Sequence, residues 1–506
     1  MIEIGINIVE IVTKGLYTNS LDIFREYIQN SCDAIDDAFN AGILSAGEEL
    51  ITIDIDAAAR RITIEDNGAG INTRNFERTM SKIGNSDKTL QTDRGFRGIG
   101  RLCGLAYCRE ARFSSTVKGE TKLSTLTIDA ERLRREFFSD NKHSAEAVLR
   151  DVMIFDKTDA AVDEHFFRVE LIDIVDTNSA LLDVEVVCDY LSFVAPVTYS
   201  PNFYYQSEIY KHAALLNFKI TEYKIQVRGE PLDKPYKTNY KTTHNGADEI
   251  FGVDFRDFYD DNDNLIAWIW IGLSNFKGVL DQTAGTADNL MRGIRLRAGN
   301  IQIGGADVFK NLFSETRGTN YFIGEVHVVD KKLRPNSRRD YFEEDDACNT
   351  LEKKLSDYFA ELYKIYHTAS DVRGAYKAIN APAEAENAFN KQSEPYKKSH
   401  RAEYETTLAK LNKTAQDKSR TIDKIRKEAE QNPDTPLSRV VLRMTENQSV
   451  QPPVNLDSNN DKHSFPPSTW RKDLRKLYHA IESIIIDNPK LAGNDLCNKI
   501  KTELAK

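Results

Sequence analysis

The chain has 506 residues, 40% of them hydrophobic and 29% charged, with a formal net charge of −10. That length holds about three or four domains of ordinary size, and the acidic balance argues against a surface coated in nucleic-acid contacts, although a local basic stripe is compatible with it. No stretch approaches the roughly 18 uninterrupted apolar residues of a membrane helix, and the start "MIEIGINIVEIVTKG" lacks the basic-then-apolar order of a secretory leader. The six cysteines include no CxxC pair, so a cytoplasmic protein without disulfide framework or zinc site is expected, with Cys103 and Cys108 as buried thiols.

The first predicted element is a helix with apolar residues at Ile23, Phe24, Ile28 and Ile35. Within it "EYIQNSCDAID" sets Glu26, Asn30 and Asp33 at i, i+4 and i+7, on one face. Taken alone this pattern fits a solvated acidic helix face. Two alternating runs, "ITIDID" and "RITIEDN", then read as strands, so residues 1–195 form an α/β layer with helices on one sheet face.

The second strand ends in "IEDNGAGI", where Asp66 can accept a hydrogen bond from an exocyclic amine and Gly68 and Gly70 permit a tight turn or a close ligand approach. A polar segment follows, "MSKIGNSDKTLQTDRGFRGIGRLCGLAYC", whose Gly95, Gly98 and Gly100 precede an apolar helix. Backbone N–H groups in such a turn can cradle phosphate.

In order and spacing these three motifs resemble the GHKL ATPase superfamily, which includes gyrase B, the ninety-kilodalton heat-shock chaperones, histidine kinases and MutL. The resemblance implies a Bergerat ATP-binding fold, an α+β sandwich with a lid over ATP and Mg²⁺. It further implies that Glu26 is the general base, Asn30 the Mg²⁺ ligand and Asp33 a pocket residue. Asp66 becomes the adenine acceptor, Gly68 and Gly70 the close-approach glycines, Gly95, Gly98 and Gly100 the phosphate loop, and Lys88 a lid cation.

Residues 196–380, with "LIAWIWIGL", "GIRLRAGNIQIG" and "YFIGEVHVVD", read as a second α/β domain of the transducer type. Its "VVDKKLRPNSRRDYF" is similar to the chaperones' middle-domain catalytic loop. Arg339 is therefore the expected γ-phosphate contact, with Arg338 and Lys332 as neighbours left open.

From residue 381 the pattern becomes helical. Tyr404, Leu408, Leu411, Ala415, Lys418, Ile422, Ile425 and Ala429 step by four and three, a heptad seam open to two readings, a coiled coil between copies or a helix folded back in cis. The expected divisions are a helical segment 381–445, a polar linker 446–468 and a small helical domain 469–506 with Trp470, Leu474, Leu477, Ile481 and Ile484 on one face.

Two departures from the superfamily pattern stand out. "EHFFRVELIDI" puts Phe166 and Phe167 where a Gly-Thr is usual, and the heptad seam and short helical end are expected to take the place of the chaperones' large C-terminal dimerisation domain. The favoured expectation is an ATP-gated homodimeric clamp on a protein client. The alternative is a MORC- or MutL-like clamp on duplex DNA, in repair or antiviral defence, with "KSRTIDKIRK" tracking phosphates.

Overall fold

The computed structural model describes residues 5–15, 19–83, 99–139, 144–175, 180–242, 246–278, 280, 290–446 and 470–487. Lys88, Gly95 and Gly98 lie outside them. The chain divides into two compact units, Met1–Ala360 and Glu361–Lys506.

The first unit holds two sheets. One is built from β1 (Ile51–Asp56), β2 (Arg61–Asp66), β3 (Glu110–Thr116), β4 (Lys122–Asp129), β5 (Met153–Asp159), β6 (Phe166–Ile172), β7 (Ile225–Val227) and β8 (Glu230–Pro231), in the order β5-β4-β3-β6-β2-β1-β7-β8. Its pairings are antiparallel except β1 with β7. Strict alternation drives Ile62 and Ile64 into the core, and the same period carries Asp66 to that buried side. Helix α1 (Asn7–Glu10) precedes α2 (Asp22–Asn40), and the sheet's other helices are α3 (Thr73–Ser81), α4 (Ala130–Glu136), α5 (Ala145–Val152) and α6 (Val184–Val194). Side chains cap four of them: Asn72, Asp129, Ser144 and Asp183 each accept a backbone N–H of the first turn. In α2, Ile23, Phe24, Ile28 and Ile35 are almost wholly buried, each worth about 1.5–3 kcal/mol of apolar burial.

Helix α7 (Gln206–Leu215) leads to the second sheet, with β9 (Asn239–Thr242), β10 (Gly246–Tyr259), β11 (Leu265–Ser274), β12 (Gly293–Ala298), β13 (Ile301–Ile303) and β14 (Ile323–Val328), ordered β13-β12-β14-β11-β10-β9. Strands β12 and β14 run parallel, setting Arg295 opposite Glu325 and Arg297 opposite His327. Next to them β11 supplies Trp268 and Trp270. This face is covered by Phe193 at the end of α6 and by Tyr199, Lys234 and Tyr236 of the connector between the sheets, all fully or nearly fully buried.

At its centre Glu325 accepts from Arg297 Nε at 2.6 Å, Tyr199 Oη at 2.5 Å, and Lys234 Nζ and Tyr236 Oη at 3.2 Å each. Arg297 also donates to the Phe193 carbonyl, and Lys234 to Asn300. Burial, followed by the positive charge of Arg297, pulls the Lys234 ammonium down to about 7. The first sheet is thereby tied to the second through a buried network centred on Glu325.

The second unit is helical. The unit boundary falls inside α8 (Asp346–Asn390), which also runs through the domain boundary expected at 380. Phe389 stacks on Tyr404 of α9 (Glu394–Gln431) at 3.9 Å, so the chain doubles back on itself. Helices α10 (Pro436–Glu446) and α11 (Lys472–Asp487) pack on α9, and Leu408, Ile422 and Ala429 of the heptad seam are buried within one chain. In α11 the covered stripe runs through Trp470, Leu474 and Tyr478, whereas Leu477, one position earlier, turns to solvent.

Candidate functional site

Helix α2 is buried on two sides, and the second side carries its polar residues. Glu26 is 5% exposed and Asp33 3%, with Asn30 half-buried one turn after Glu26. Gly100, which opens the 3-10 turn Gly100–Ala106, sits directly on Glu26: a Cβ there would lie 2.6 Å from Glu26 Oε2. Tyr27 holds the same turn, its hydroxyl donating to the Arg101 carbonyl at 3.1 Å and accepting the Gly104 N–H at 3.2 Å. Arg101 in turn donates to the Lys82 carbonyl.

The turn after β2 is stitched to α2 immediately beyond Asp33. Asp66 accepts the Gly68 N–H at 3.0 Å, and the Ala69 N–H reaches the Ala34 carbonyl at 2.9 Å. A Cβ on Gly68 would lie 2.6 Å from the Ala34 carbonyl carbon. Gly70, at φ +69°, would put one 2.1 Å from the Thr116 oxygen. Both glycines are therefore required by protein packing that draws Asp66 towards α2.

The loop after β14 closes the site. Pro335 and Phe342 bridge its arms, and within it Arg339 adopts φ +56°, a conformation that costs a long side chain about 1–2 kcal/mol. Anchoring offsets this cost. The Arg339 guanidinium lies 3.2 Å from Glu26 Oε1 through Nε and donates to Gln29 Oε1 through Nη1. Arg25 Nη2 donates to the Arg338 carbonyl at 3.4 Å, while its Nη1 pairs with Asp22 at 3.4 Å. Glu26 Oε1 is thus charge-paired yet has no hydrogen bond of acceptable geometry. Beneath it, burial raises the Cys103 thiol well above its ordinary range, which keeps that residue inert.

Residues 18–156 match the family described as histidine kinase-, DNA gyrase B- and HSP90-like ATPase. This segment is a GHKL ATPase domain. Over 90 residues the chain is 33% identical to the chaperone protein HtpG of Anaplasma marginale (strain St. Maries). It is 34% identical over the same length to those of Ehrlichia ruminantium, strains Gardel and Welgevonden. The aligned stretch is 17% of this chain and spans 14% of the length of each of these relatives.

The GHKL domain brings Glu26, Asn30, Asp33, Asp66, Gly68, Gly70 and Gly100 onto or around α2, and the loop after β14 adds Arg339. At the departure from the superfamily pattern, Phe167 faces Asp66 across the β2–β6 ladder, and His165 Nδ1 lies 3.0 Å from the Gly68 carbonyl. Two contributors escaped the sequence reading, Arg25 and Gln29. Their partners stand 313 and 310 residues away, so no local pattern marks them.

The donor set suits Mg²⁺ and ATP: the half-buried Asn30 follows the buried Glu26 by one turn and precedes the buried Asp33 by three residues on the same helix, and Glu26 keeps a buried oxygen outside any hydrogen bond. Among the described residues no cluster of three His, Cys, Asp or Glu side chains is placed to cage a metal. Mg²⁺ held by one protein ligand and by phosphates requires none. No helix among them is long and apolar enough to cross a membrane.

Proposed function

We propose that this ATP-binding GHKL protein hydrolyses ATP and works as an ATP-gated dimeric clamp on a protein partner. The observation carrying this reading is the reach of Arg339, from the loop of the second sheet, onto Glu26 of the ATPase domain. A catalytic unit split between two sheets makes turnover depend on how those sheets are held, which is what a clamp requires.

In this mechanism Asp66 accepts the adenine amine, and the Gly68–Gly70 turn fixes that carboxylate relative to α2. Asn30 would hold Mg²⁺, which neutralises phosphate charge when bound. Glu26 orients the attacking water and takes its proton. Arg339 moves from the Glu26 carboxylate to phosphate oxygens, where it stabilises the charge that develops as the bond to the leaving group breaks. The exchange frees Glu26 for the water. No covalent intermediate is needed.

Steady-state ATP hydrolysis by the purified full chain tests this, with Glu26→Ala subtracting contaminating activity and duplex DNA added at low salt in a parallel arm. Turnover that depends on Glu26 and ignores DNA supports the protein clamp. Stimulation by DNA moves the reading to a DNA clamp, and turnover equal in wild type and Glu26→Ala removes the enzymatic assignment.

A further inference from the structure

Between Glu26 and Asn30 lies Gln29, a residue that none of the superfamily motifs assigns. It is 2% exposed, and its Oε1 accepts from Arg339 Nη1 while Glu26 Oε1 faces Arg339 Nε. An ion pair from Glu26 and a hydrogen bond to Gln29, three residues apart on one helix, engage different nitrogens of one planar group, so together they set its plane as well as its position. Arg25, on the preceding turn of the same helix, holds the neighbouring Arg338 carbonyl. On the loop side the Arg339 carbonyl accepts the Gly304 N–H at 3.0 Å, its N–H reaches the Asn336 carbonyl at 3.1 Å, and Asn336 Nδ2 donates to Asp340 at 2.6 Å. The backbone is therefore fixed from the second sheet, and the guanidinium is aimed from α2.

We propose that Gln29 is a positioning residue, a neutral acceptor that aims the Arg339 guanidinium at the phosphate end of the site. The inference rests on the ATPase reading above. Neutrality is the point of the choice. An amide oxygen orients the guanidinium without a second formal negative charge, so it does not compete with phosphate for the cation; a carboxylate at 29 would form, with Glu26, a doubly charged trap. A methionine at 29 fills the same space and offers no comparable acceptor.

The test uses the full chain as wild type, Gln29→Met, Gln29→Glu, Arg339→Ala and the Gln29→Met/Arg339→Ala pair. It reads kcat and KM for ATP together with amide exchange of the 330–343 segment by mass spectrometry. Gln29→Met should lower kcat by about tenfold with KM within about twofold, the signature of a misaimed group rather than a lost binding contact. Exchange in the loop should quicken. Gln29→Glu should also lower kcat while slowing that exchange, a pairing of effects that loss of packing does not produce. On the Arg339→Ala background, Gln29→Met should cost nothing further in kcat. Wild-type kcat in Gln29→Met, an equal loss with and without Arg339, or unchanged loop exchange would each overturn the proposal. If the wild type shows no Glu26-dependent turnover, the ATPase reading fails by itself, and the exchange measurements still decide whether Gln29 docks the loop.

Discussion

Substituting Glu325 by glutamine keeps the side chain's shape and removes the single negative charge at the centre of the joint between the two sheets. Arg297 and Lys234, both with no exposed side-chain surface, would then face an uncharged amide, and one carboxylate oxygen that accepts hydrogen bonds would become a donor pointed at donors. Breaking one partner of a buried pair costs about 3–5 kcal/mol, because the remaining charge stays buried without compensation. At roughly 2 °C of melting temperature per kcal/mol for a unit of this size, the unfolding midpoint should fall by about 6–10 °C. Thermal unfolding followed by tryptophan emission is the suitable assay, since Trp270 donates to Tyr199 at 3.2 Å and Trp268 stacks on His327 at 4.5 Å. A midpoint for Glu325→Gln within 2 °C of wild type would refute the view that this carboxylate carries the joint.

Asp66→Asn should abolish ATP binding in calorimetric titration, and affinity equal to wild type would remove the adenine assignment. Gly70→Ala meets the Thr116 oxygen and should destabilise by roughly 1–3 kcal/mol from overlap alone. Gly119→Ala, also at positive φ but in open space, should cost only the backbone strain of about 1–2 kcal/mol, and equal urea midpoints for the two would contradict the packing argument. His327 adds a pH dependence. It faces Glu325 through Nε2 at 3.2 Å, its buried Nδ1 lacks a hydrogen-bond partner, and burial pushes its pKa from 6.5 down to about 4. Between those values the unfolded chain binds a proton that the folded chain does not, so stability falls as pH drops from 6.5 to 4, by at most about 3 kcal/mol. His327→Gln should flatten that part of the urea-midpoint profile, and an unchanged slope would exclude His327 as its source.

What the sequence disclosed and what it hid follow from the range of the interactions. The placement of Glu26, Asn30 and Asp33 along one helix was legible because helical period puts them together, and the burial of Asp66 follows from alternation along β2. The arginine loop was legible only through resemblance, since nothing within "RPNSRRDYF" points to a helix more than 300 residues earlier. Alternation misleads in β12 and β14. Arg295, Arg297, Glu325 and His327 alternate with apolar neighbours, the pattern usual for strands with one face in solvent, yet their face is covered by aromatic rings and by Lys234 of the connector. Burial of charge needs partners from elsewhere in the chain, and single-strand periodicity cannot supply them. The heptad seam was legible as a seam, while its covering by α10 and α11 depends on helices that start beyond it.

The pairing of β1 with β7 bears on how the protein comes into being. These strands meet across roughly 170 residues of chain, with β1 lying between β2 and β7 in the finished sheet. During synthesis β1 and β2 emerge early, and the far edge of β1 stays bare until the connector leaves the ribosome. An uncovered edge is a template for wrong partners. The same connector carries Tyr199, Lys234 and Tyr236 into the buried joint. Completion of the nucleotide-binding sheet and attachment of the second sheet are therefore one late event in the life of the nascent chain, and a fragment ending at residue 195 would be released with that edge permanently open.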